Sequence, residues 1–268
     1  MKKTFNSLIL LFFVFFWIFF SMVLQFDKAK PEEFSYDYRF TFISPFANAG
    51  YWGNTAYGML QADKQLHTNT KFTGFLESDA VSMGQAIRSE LYARPDGLIT
   101  AGSSEPAVVN ALKEASRART PVILIDNDNP DTDRLCYIGP NNYEMGRAAG
   151  REMTLGVSEP LYAAVLIGSS SSENQSQRLK GFEDQLSLHP DCRVEAVMEA
   201  NYSLLTIREM LPALLKDHPK INAIFCAEGY SSIITGEILS DLGPQYDHMR
   251  VIVSGHTAEI VDHIASGR

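Results

Sequence analysis

From Tyr38 onward the chain alternates short apolar runs with longer segments of helical spacing. Continuous runs such as Val122–Ile125 and Ala223–Ala227 are typical of strands buried on both faces of a parallel sheet. Segments such as Leu204–Asp217 repeat apolar residues every three or four positions, which predicts amphipathic helices. The strand-helix order predicts an α/β fold of two Rossmann-like lobes with parallel sheets, in which ligands bind beyond the carboxyl ends of the strands.

The individual elements follow from the same pattern. The predicted strands are Tyr38–Ser44, Phe72–Leu76, Gly97–Ala101, Val122–Ile125, Tyr162–Ile167, Arg193–Met198, Ala223–Ala227 and Val251–Ser254. The predicted helices are Ala49–Leu66, a helix containing Met83, Ile87 and Leu91, then Val108–Ala118, Tyr143–Leu155, Gln177–Leu188, Leu204–Asp217, Ser231–Leu242 and Ala258–Ser266.

The N-terminus has a different character. Thr4–Phe26 contains no charged residue and follows Lys2 and Lys3, as in a membrane anchor whose positive end stays in the cytoplasm. Because no small-residue cleavage site follows, we expect an uncleaved signal anchor at residues 1–26, with a cleaved signal peptide as the alternative. A charged stalk at 27–37 would lead to lobes at 38–139 and 140–268, outside the cytoplasm.

Charge and cysteine content exclude several classes. A net charge of −9 argues against a nucleic-acid partner, because phosphate-binding surfaces need an excess of Lys and Arg. The three cysteines, Cys136, Cys192 and Cys226, lack metal-ligand spacing, and Cys136 and Cys226 lie in apolar runs that predict burial. We therefore predict no metal site, no cofactor and no thiol nucleophile.

In the first lobe, candidate ligand-binding residues follow two strands. Tyr51 and Trp52 lie where a helix begins, and their flat rings suit the C–H face of a sugar, although one of them could instead seal the core. Asp126 and Asn127 follow the run Val122–Ile125, and their side chains offer the acceptors and donors that a polyhydroxyl ligand needs.

In the second lobe, a serine-rich loop after Tyr162–Ile167 opens a helix and carries Asn174, Ser176 and Arg178. These residues are candidates for ligand contact, with helix capping as the alternative for them. Glu228 and His256 follow two further strands at equivalent positions. No nucleophile elbow, carboxylate pair or phosphate loop occurs in the chain, so a binding function is predicted rather than an enzyme.

Taken in order, several segments from about residue 38 to 268 resemble the type I periplasmic binding proteins. The similarity is to the ribose- and galactose-binding group, which is related to the ligand-binding lobes of LacI-type regulators. The segments are Phe42–Pro45 with Tyr51-Trp52, Ala86-Ile87 with Pro95–Ile99, Pro121–Asp126, Tyr137–Gly139, Arg178-x-x-Gly181-Phe182 and Ala223–Phe225.

The resemblance implies that Tyr51 and Trp52 stack on a sugar and that Asp126 binds its hydroxyls. The chain departs from the family pattern at Asn127, Ser176, Glu228 and His256. Members continue past the helix at Ala258–Ser266 and cross back to the first lobe, so we expect the C-terminal part of the fold to be truncated at Arg268.

These observations predict an extracytoplasmic solute-binding protein that captures a small polar ligand, with a sugar as the favoured class. The predicted partner is an ABC permease or a membrane sensor histidine kinase. The alternatives are the ligand domain of a LacI-like regulator, an enzyme on the same scaffold, or a degenerate receptor that binds nothing.

Overall fold

The computed structural model describes residues 14–21, 35–47, 50–76, 79–255 and 257–265. The chain divides into two compact units, residues 1–37 and Tyr38–Arg268. In the first unit, residues 14–21 are helical, and most of the predicted anchor lies outside the described residues. Within the described ranges, no helix is long and apolar enough to cross a membrane.

The second unit contains two parallel sheets. Lobe 1 consists of β1 (Tyr38–Ser44), α1 (Gly50–Leu66), β2 (Thr68–Gly74), α2 (Ala80–Tyr92), β3 (Gly97–Thr100), α3 (Pro106–Arg117), β4 (Val122–Ile125) and β5 (Cys136–Ile138). Its strand order is β2-β1-β3-β4-β5.

Lobe 2 consists of α4 (Asn142–Thr154), β6 (Leu161–Ile167), α5 (Glu173–Leu186), β7 (Cys192–Glu199), α6 (Leu204–Asp217), β8 (Ala223–Cys226), α7 (Gly229–Leu242), β9 (Arg250–Val253) and α8 (Ala258–Ala265). Its strand order is β7-β6-β8-β9. Every strand pair in both sheets is parallel, which confirms the predicted fold class. The chain passes from lobe 1 into lobe 2 between β5 and α4, and we call the stretch from Tyr137 to Asn142 the crossing.

Helices cover both faces of the lobe 2 sheet. On one face Phe182 of α5 stacks on Phe225 of β8 with ring centroids 4.8 Å apart. On the other face Ile224 is fully buried with residues of α6 and α7. Burying apolar side chains on both faces explains why β6 and β8 read as continuous apolar runs.

The lobe 1 sheet is covered less evenly. Thr41 of β1 donates to Glu90 of α2 on one face, and Phe42 packs against Trp52 of α1 on the other. On the α1 face, burial decreases toward β5, where Ile138 is 61% exposed. We call this region, formed by Ile99, Ile123, Cys136 and Ile138, the open face of lobe 1.

Three predictions about local structure were wrong. Strand β2 begins at Thr68 rather than Phe72, because Thr68 and Thr70 donate to the Asp63 carboxylate and hold a polar edge strand in place. Helix α5 begins at Glu173 rather than Gln177. Cys136 is exposed rather than buried, because β5 is an edge strand on the open face.

Candidate functional site

Polar side chains from both lobes meet at the carboxyl ends of the strands. Asp126 and Asn127 follow β4, Asn174 and Arg178 lie in the first two turns of α5, and Glu228 precedes α7. Parallel strands end at one edge of each sheet, and hydrogen bonds from Asn174 to Asp126 and Asn127 bring the two edges together across a cleft.

Asp126 lies at the centre of this cluster. Its φ is 65°, a left-handed conformation that Asp tolerates better than most residues. The backbone fixes this conformation, since Asp126 N–H donates to Ile138 O at 3.1 Å and Tyr137 Oη donates to Asp126 O at 2.8 Å. Asn174 Nδ2 donates to its carboxylate at 3.3 Å from the other lobe, and the Tyr51 hydroxyl is a further hydrogen-bond partner.

The electrostatics of the cluster reflect burial. Loss of hydration raises the pKa of the Asp126 carboxyl, while the Arg178 charge and the Tyr51 hydroxyl lower it. Burial also raises the pKa of Tyr51 to about 12, with Asp126 adding to the effect. Tyr51 therefore stays neutral and can donate its proton in a hydrogen bond.

Arg178 is held firmly by residues of lobe 2. Its Nε donates to Asn142 Oδ1 at 2.8 Å, and its Nη1 donates to Ala227 O at 2.6 Å. Burial lowers the pKa of the guanidinium, opposed first by the negative charge of Asp126. A guanidinium has five N–H donors, so this arrangement positions a cation with further donors near Asp126.

Asn127 and Asn174 join the two lobes directly. Asn174 N–H donates to Asn127 Oδ1 at 2.8 Å, and Asn127 Nδ2 donates to Gly102 O at 2.8 Å within lobe 1. Asn127 therefore acts as an inter-lobe bridge, and its direct contact with a ligand stays a prediction. Asn174 Oδ1 is buried without a hydrogen-bond partner among the described residues, which leaves an acceptor inside the cluster.

The structure places Trp52, Ser176 and Glu228 in supporting positions. Trp52 is 5% exposed, packs on Phe42 and meets Tyr51 edge-on at 5.1 Å, so it lies in the core behind Tyr51. Ser176 donates to Ser170 O within its own loop. Glu228 accepts from Tyr230 N–H and Ser231 N–H at 2.6 Å, and so caps α7. Ligand contact by these three residues stays a prediction, and His256 lies outside the described residues.

Three further residues belong to the cluster and were not predicted: Tyr137, Asn142 and Tyr202. Tyr137 and Asn142 lie on the crossing and hold Asp126 and Arg178. Burial raises the pKa of Tyr202 to about 12, and the charges of Glu228, Asp126 and Arg178 act on it. Tyr202 lies three residues after the end of β7, so the search for side chains shortly after predicted strands, which selected Asp126 and Glu228, could have found it.

A pocket of about 470 Å³ adjoins the cluster beside the crossing. Tyr137, Asn142 and Asn174 line both the pocket and the cluster, whereas Tyr51, Asp126 and Arg178 do not line the pocket. The pocket therefore flanks the cleft instead of occupying its centre. Its volume lies within the usual range for small-molecule sites, roughly 300–1,000 Å³.

The chemistry of the cluster suits a small ligand rich in hydroxyl groups. A carboxylate and an amide oxygen accept hydrogen bonds, a guanidinium and neutral tyrosines donate them, and aromatic rings lie beside these groups. Within the described ranges, no three His, Cys, Asp or Glu side chains are grouped closely enough to hold a metal ion.

A family model for a periplasmic binding protein domain matches residues 40–268. The chain belongs to this family. The match covers both lobes and therefore includes the whole cluster.

Individual relatives are more distant. The chain is 24% identical over 183 residues to a D-apiose import binding protein of Actinobacillus succinogenes, covering 68% of this chain and 59% of the relative. It is 23% identical over 168 residues to a D-ribose/D-allose-binding protein of Pseudomonas aeruginosa, covering 60% and 52%. The chain thus spans about half the length of the curated relatives it matches.

Solved structures share the fold. A glucose-galactose binding protein from Geobacillus stearothermophilus matches with a TM-score of 0.81 and 24% identity over 87% of this chain and 83% of that one. XylFII in its complex with LytSN matches with a TM-score of 0.81 and 22% identity over 87% and 85%. At these identities the likeness establishes the architecture, and the ligand must be argued from the site.

Proposed function

We propose that this chain is an extracytoplasmic receptor that binds a small neutral sugar between its two lobes and is not an enzyme. The relatives that it resembles carry names of apiose-, ribose- and allose-binding proteins. The sugar would serve an ABC permease or a membrane sensor kinase as partner. That XylFII is found in a complex with LytSN supports a receptor of this fold acting through a second protein.

The main observation behind this proposal is the arrangement of side chains around Asp126. One carboxylate with a fixed backbone lies between the Tyr51 hydroxyl of its own lobe and the Asn174 amide of the other lobe, with Arg178 nearby. A sugar hydroxyl can donate to the carboxylate and accept from the guanidinium at once. The buried Asn174 Oδ1 offers a further acceptor for a hydroxyl.

We also propose that the N-terminus tethers the receptor to the cell membrane. Thr4–Phe26 is free of charge and follows Lys2 and Lys3, which favours retention of the positive end in the cytoplasm. Within residues 14–21, Phe15, Trp17 and Phe19 are exposed large apolar side chains on a helix. A cleaved N-terminus in mature protein isolated from membranes would contradict the tether.

Thermal unfolding of the full chain with a sugar panel tests the binding function. The panel is D-apiose, D-ribose, D-allose, D-xylose, L-arabinose, D-glucose and D-galactose. A sugar at about 100 times its dissociation constant should raise the free energy of unfolding by about 2.7 kcal/mol, which shifts the melting temperature clearly.

The variant Asp126→Asn should abolish the shift, because it removes the charged acceptor while preserving shape. The matched control is Asp131→Asn, which makes the same chemical change at an exposed position near the end of β4. A shift that survives Asp126→Asn would move the site elsewhere, and no shift with any sugar would refute this ligand class.

A further inference from the structure

Three aromatic rings contact each other across the cleft: Phe46 of lobe 1, and Tyr202 and Tyr230 of lobe 2. The Phe46 and Tyr202 centroids lie 5.7 Å apart with the rings edge to face. Phe46 lies 6.3 Å from Tyr230, and Tyr202 lies 6.4 Å from Tyr230. These distances and angles are those of favourable aromatic pairs, so Phe46 lodges in a notch formed by the two tyrosines.

The position of this contact relative to the crossing is informative. Phe46 follows β1, which is three strands away from β5, where the chain leaves lobe 1. At the usual spacing between strands this is about 14 Å. Asp126 follows β4, which lies between β5 and β1, so Asp126 lies between the crossing and the aromatic contact.

Each of the three rings is held by its own lobe. Ser44 Oγ donates to Phe46 O at 2.7 Å and accepts from Phe46 N–H at 3.3 Å, which fixes the turn after β1. The Tyr202 hydroxyl and Ser172 Oγ share a hydrogen bond of 2.9 Å, and the Tyr202 ring lies over Gly168, where a Cβ would come within 2.1 Å of it. Tyr230 begins α7 beside the Glu228 cap.

We propose that Phe46, Tyr202 and Tyr230 form a clasp that holds the lobes together on the side of the cleft far from the crossing. A contact at that distance resists rotation about the crossing more effectively than the bridges next to it. The role of the clasp in retaining a ligand rests on the proposed function, since the clasp would close the cleft assigned to a sugar.

The exchange rate of the Asn174 backbone amide hydrogen measures lobe separation in the absence of sugar. Its N–H donates across the cleft to Asn127 Oδ1, so it exchanges with solvent deuterium when the lobes part. Phe46 is far from this bridge, and its one local route to Asn174 runs through Tyr202 and Ser172. The Ser176 amide, which donates to Ser172 O within lobe 2, would detect loosening by that route and should keep its exchange rate, so faster exchange at Asn174 alone indicates lobe movement. We expect residue-resolved hydrogen exchange of the full chain to show roughly three- to tenfold faster exchange at Asn174.

Three variants complete the experiment. Tyr230→Ala should give the same acceleration from the other lobe, and Phe46→Tyr, which keeps the ring, should restore slow exchange. Tyr57→Ala is the control, because Tyr57 is an aromatic residue of lobe 1 that is 64% exposed on α1. It should leave Asn174 exchange unchanged.

Two results would overturn the clasp. One is unchanged Asn174 exchange in both Phe46→Ala and Tyr230→Ala. The other is equal acceleration at core amides such as Leu124 and Leu166, which would mean that the rings stabilise the lobes themselves. Because no sugar is present, either result is separate from a failure of the sugar panel.

Discussion

The two lobes share one architecture but differ in how completely their sheets are covered. In lobe 2, Ala163, Ala164, Val165 and Leu166 are all fully buried, because helices pack on both faces of β6. In lobe 1, β1 is exposed at Tyr38 and buried only from Thr41 onward. Helix α1 buries a single residue, Trp52, out of 17.

This difference shows that the two halves of the cleft have unequal support. Lobe 2 presents Asn174, Arg178 and Glu228 from the starts of helices that are anchored in two apolar clusters. Lobe 1 presents Asp126 from a loop held mainly by hydrogen bonds to the crossing. We expect lobe 2 to be the more stable and lobe 1 the more easily opened.

The largest effect is expected from Phe182→Ala. Phe182 is fully buried and stacked on Phe225, so its removal leaves a cavity and should lower the free energy of unfolding by about 3–5 kcal/mol. Urea denaturation followed by far-UV circular dichroism measures the loss. The lobe 1 counterpart is Tyr38→Ala, where a 57% exposed ring should cost less than about 1 kcal/mol. Equal losses would contradict the comparison.

Matched Gly→Ala changes in helices of the two lobes should change the free energy of unfolding in opposite directions. A Cβ on Gly181 of α5 would lie 2.0 Å from Tyr143 O of α4, so Gly181→Ala should force the helices apart and cost about 1–3 kcal/mol. A Cβ on Gly58 of α1 would have no atom of the described residues within 4 Å. Gly58→Ala should therefore raise the free energy of unfolding by up to about 1 kcal/mol through helix propensity alone. Urea denaturation of both variants measures the two changes.

A loss of stability on Gly58→Ala would show that α1 is packed more closely than its exposure indicates. A neutral Gly181→Ala would show that α4 and α5 can separate without cost. The second result would also weaken the view that Arg178, on α5, is held rigidly.

Sequence reasoning gave correct bounds where the apolar pattern is regular, and it failed at two edge strands and at the polar start of α5. Strand β4 and helix α6 have the predicted bounds, because their apolar pattern follows directly from packing. Strand β2 and Cys136 were misread because edge strands need only partial burial. Their positions depend on pairing and side-chain hydrogen bonds, which hydrophobic periodicity does not register.

The candidate site was predictable one strand at a time but not as a set. Asp126 could be selected because it directly follows β4, and Arg178 because it lies near the start of the helix that follows β6. The bridge between Asn127 and Asn174 joins residues 47 positions apart, and Trp52 lies behind Tyr51 instead of beside it. Such relations arise only when the lobes meet, so no local pattern in the chain contains them.

A smaller difference is expected from removing one methylene in each sheet. Ile224→Val on β8 should cost about 0.5–1.5 kcal/mol, since Ile224 is fully buried. Ile138→Val on β5 should stay within about 0.5 kcal/mol, because Ile138 is 61% exposed on the open face. A larger cost at Ile138 in the full chain would mean that something covers the open face in solution.

The smallest effect concerns the pH dependence of stability. Burial raises the pKa of Asp126 above its ordinary value of 3.8, so between these two values the folded state binds more protons than the unfolded state. The Asp126 contribution to stability therefore falls as pH rises through that window and recovers on acidification. Relative to Asp126→Asn, the wild-type chain should gain stability as pH is lowered from neutral toward about 4.

Asp79 provides the control with the opposite sign. Hydrogen bonds from Ser82 and from the backbone N–H groups of Ser82 and Val81 lower the pKa of this exposed α2 cap. Relative to Asp79→Asn, the wild-type chain should lose stability as pH falls through the lowered pKa, because the carboxylate that caps the helix becomes protonated. Urea denaturation across this pH range measures both slopes. If the stability difference for Asp126 fell on acidification, as expected for Asp79, the hydrogen-bond and charge partners of the Asp126 carboxylate would stabilise it more than burial destabilises it. Lobe 1 would then hold its site as firmly as lobe 2.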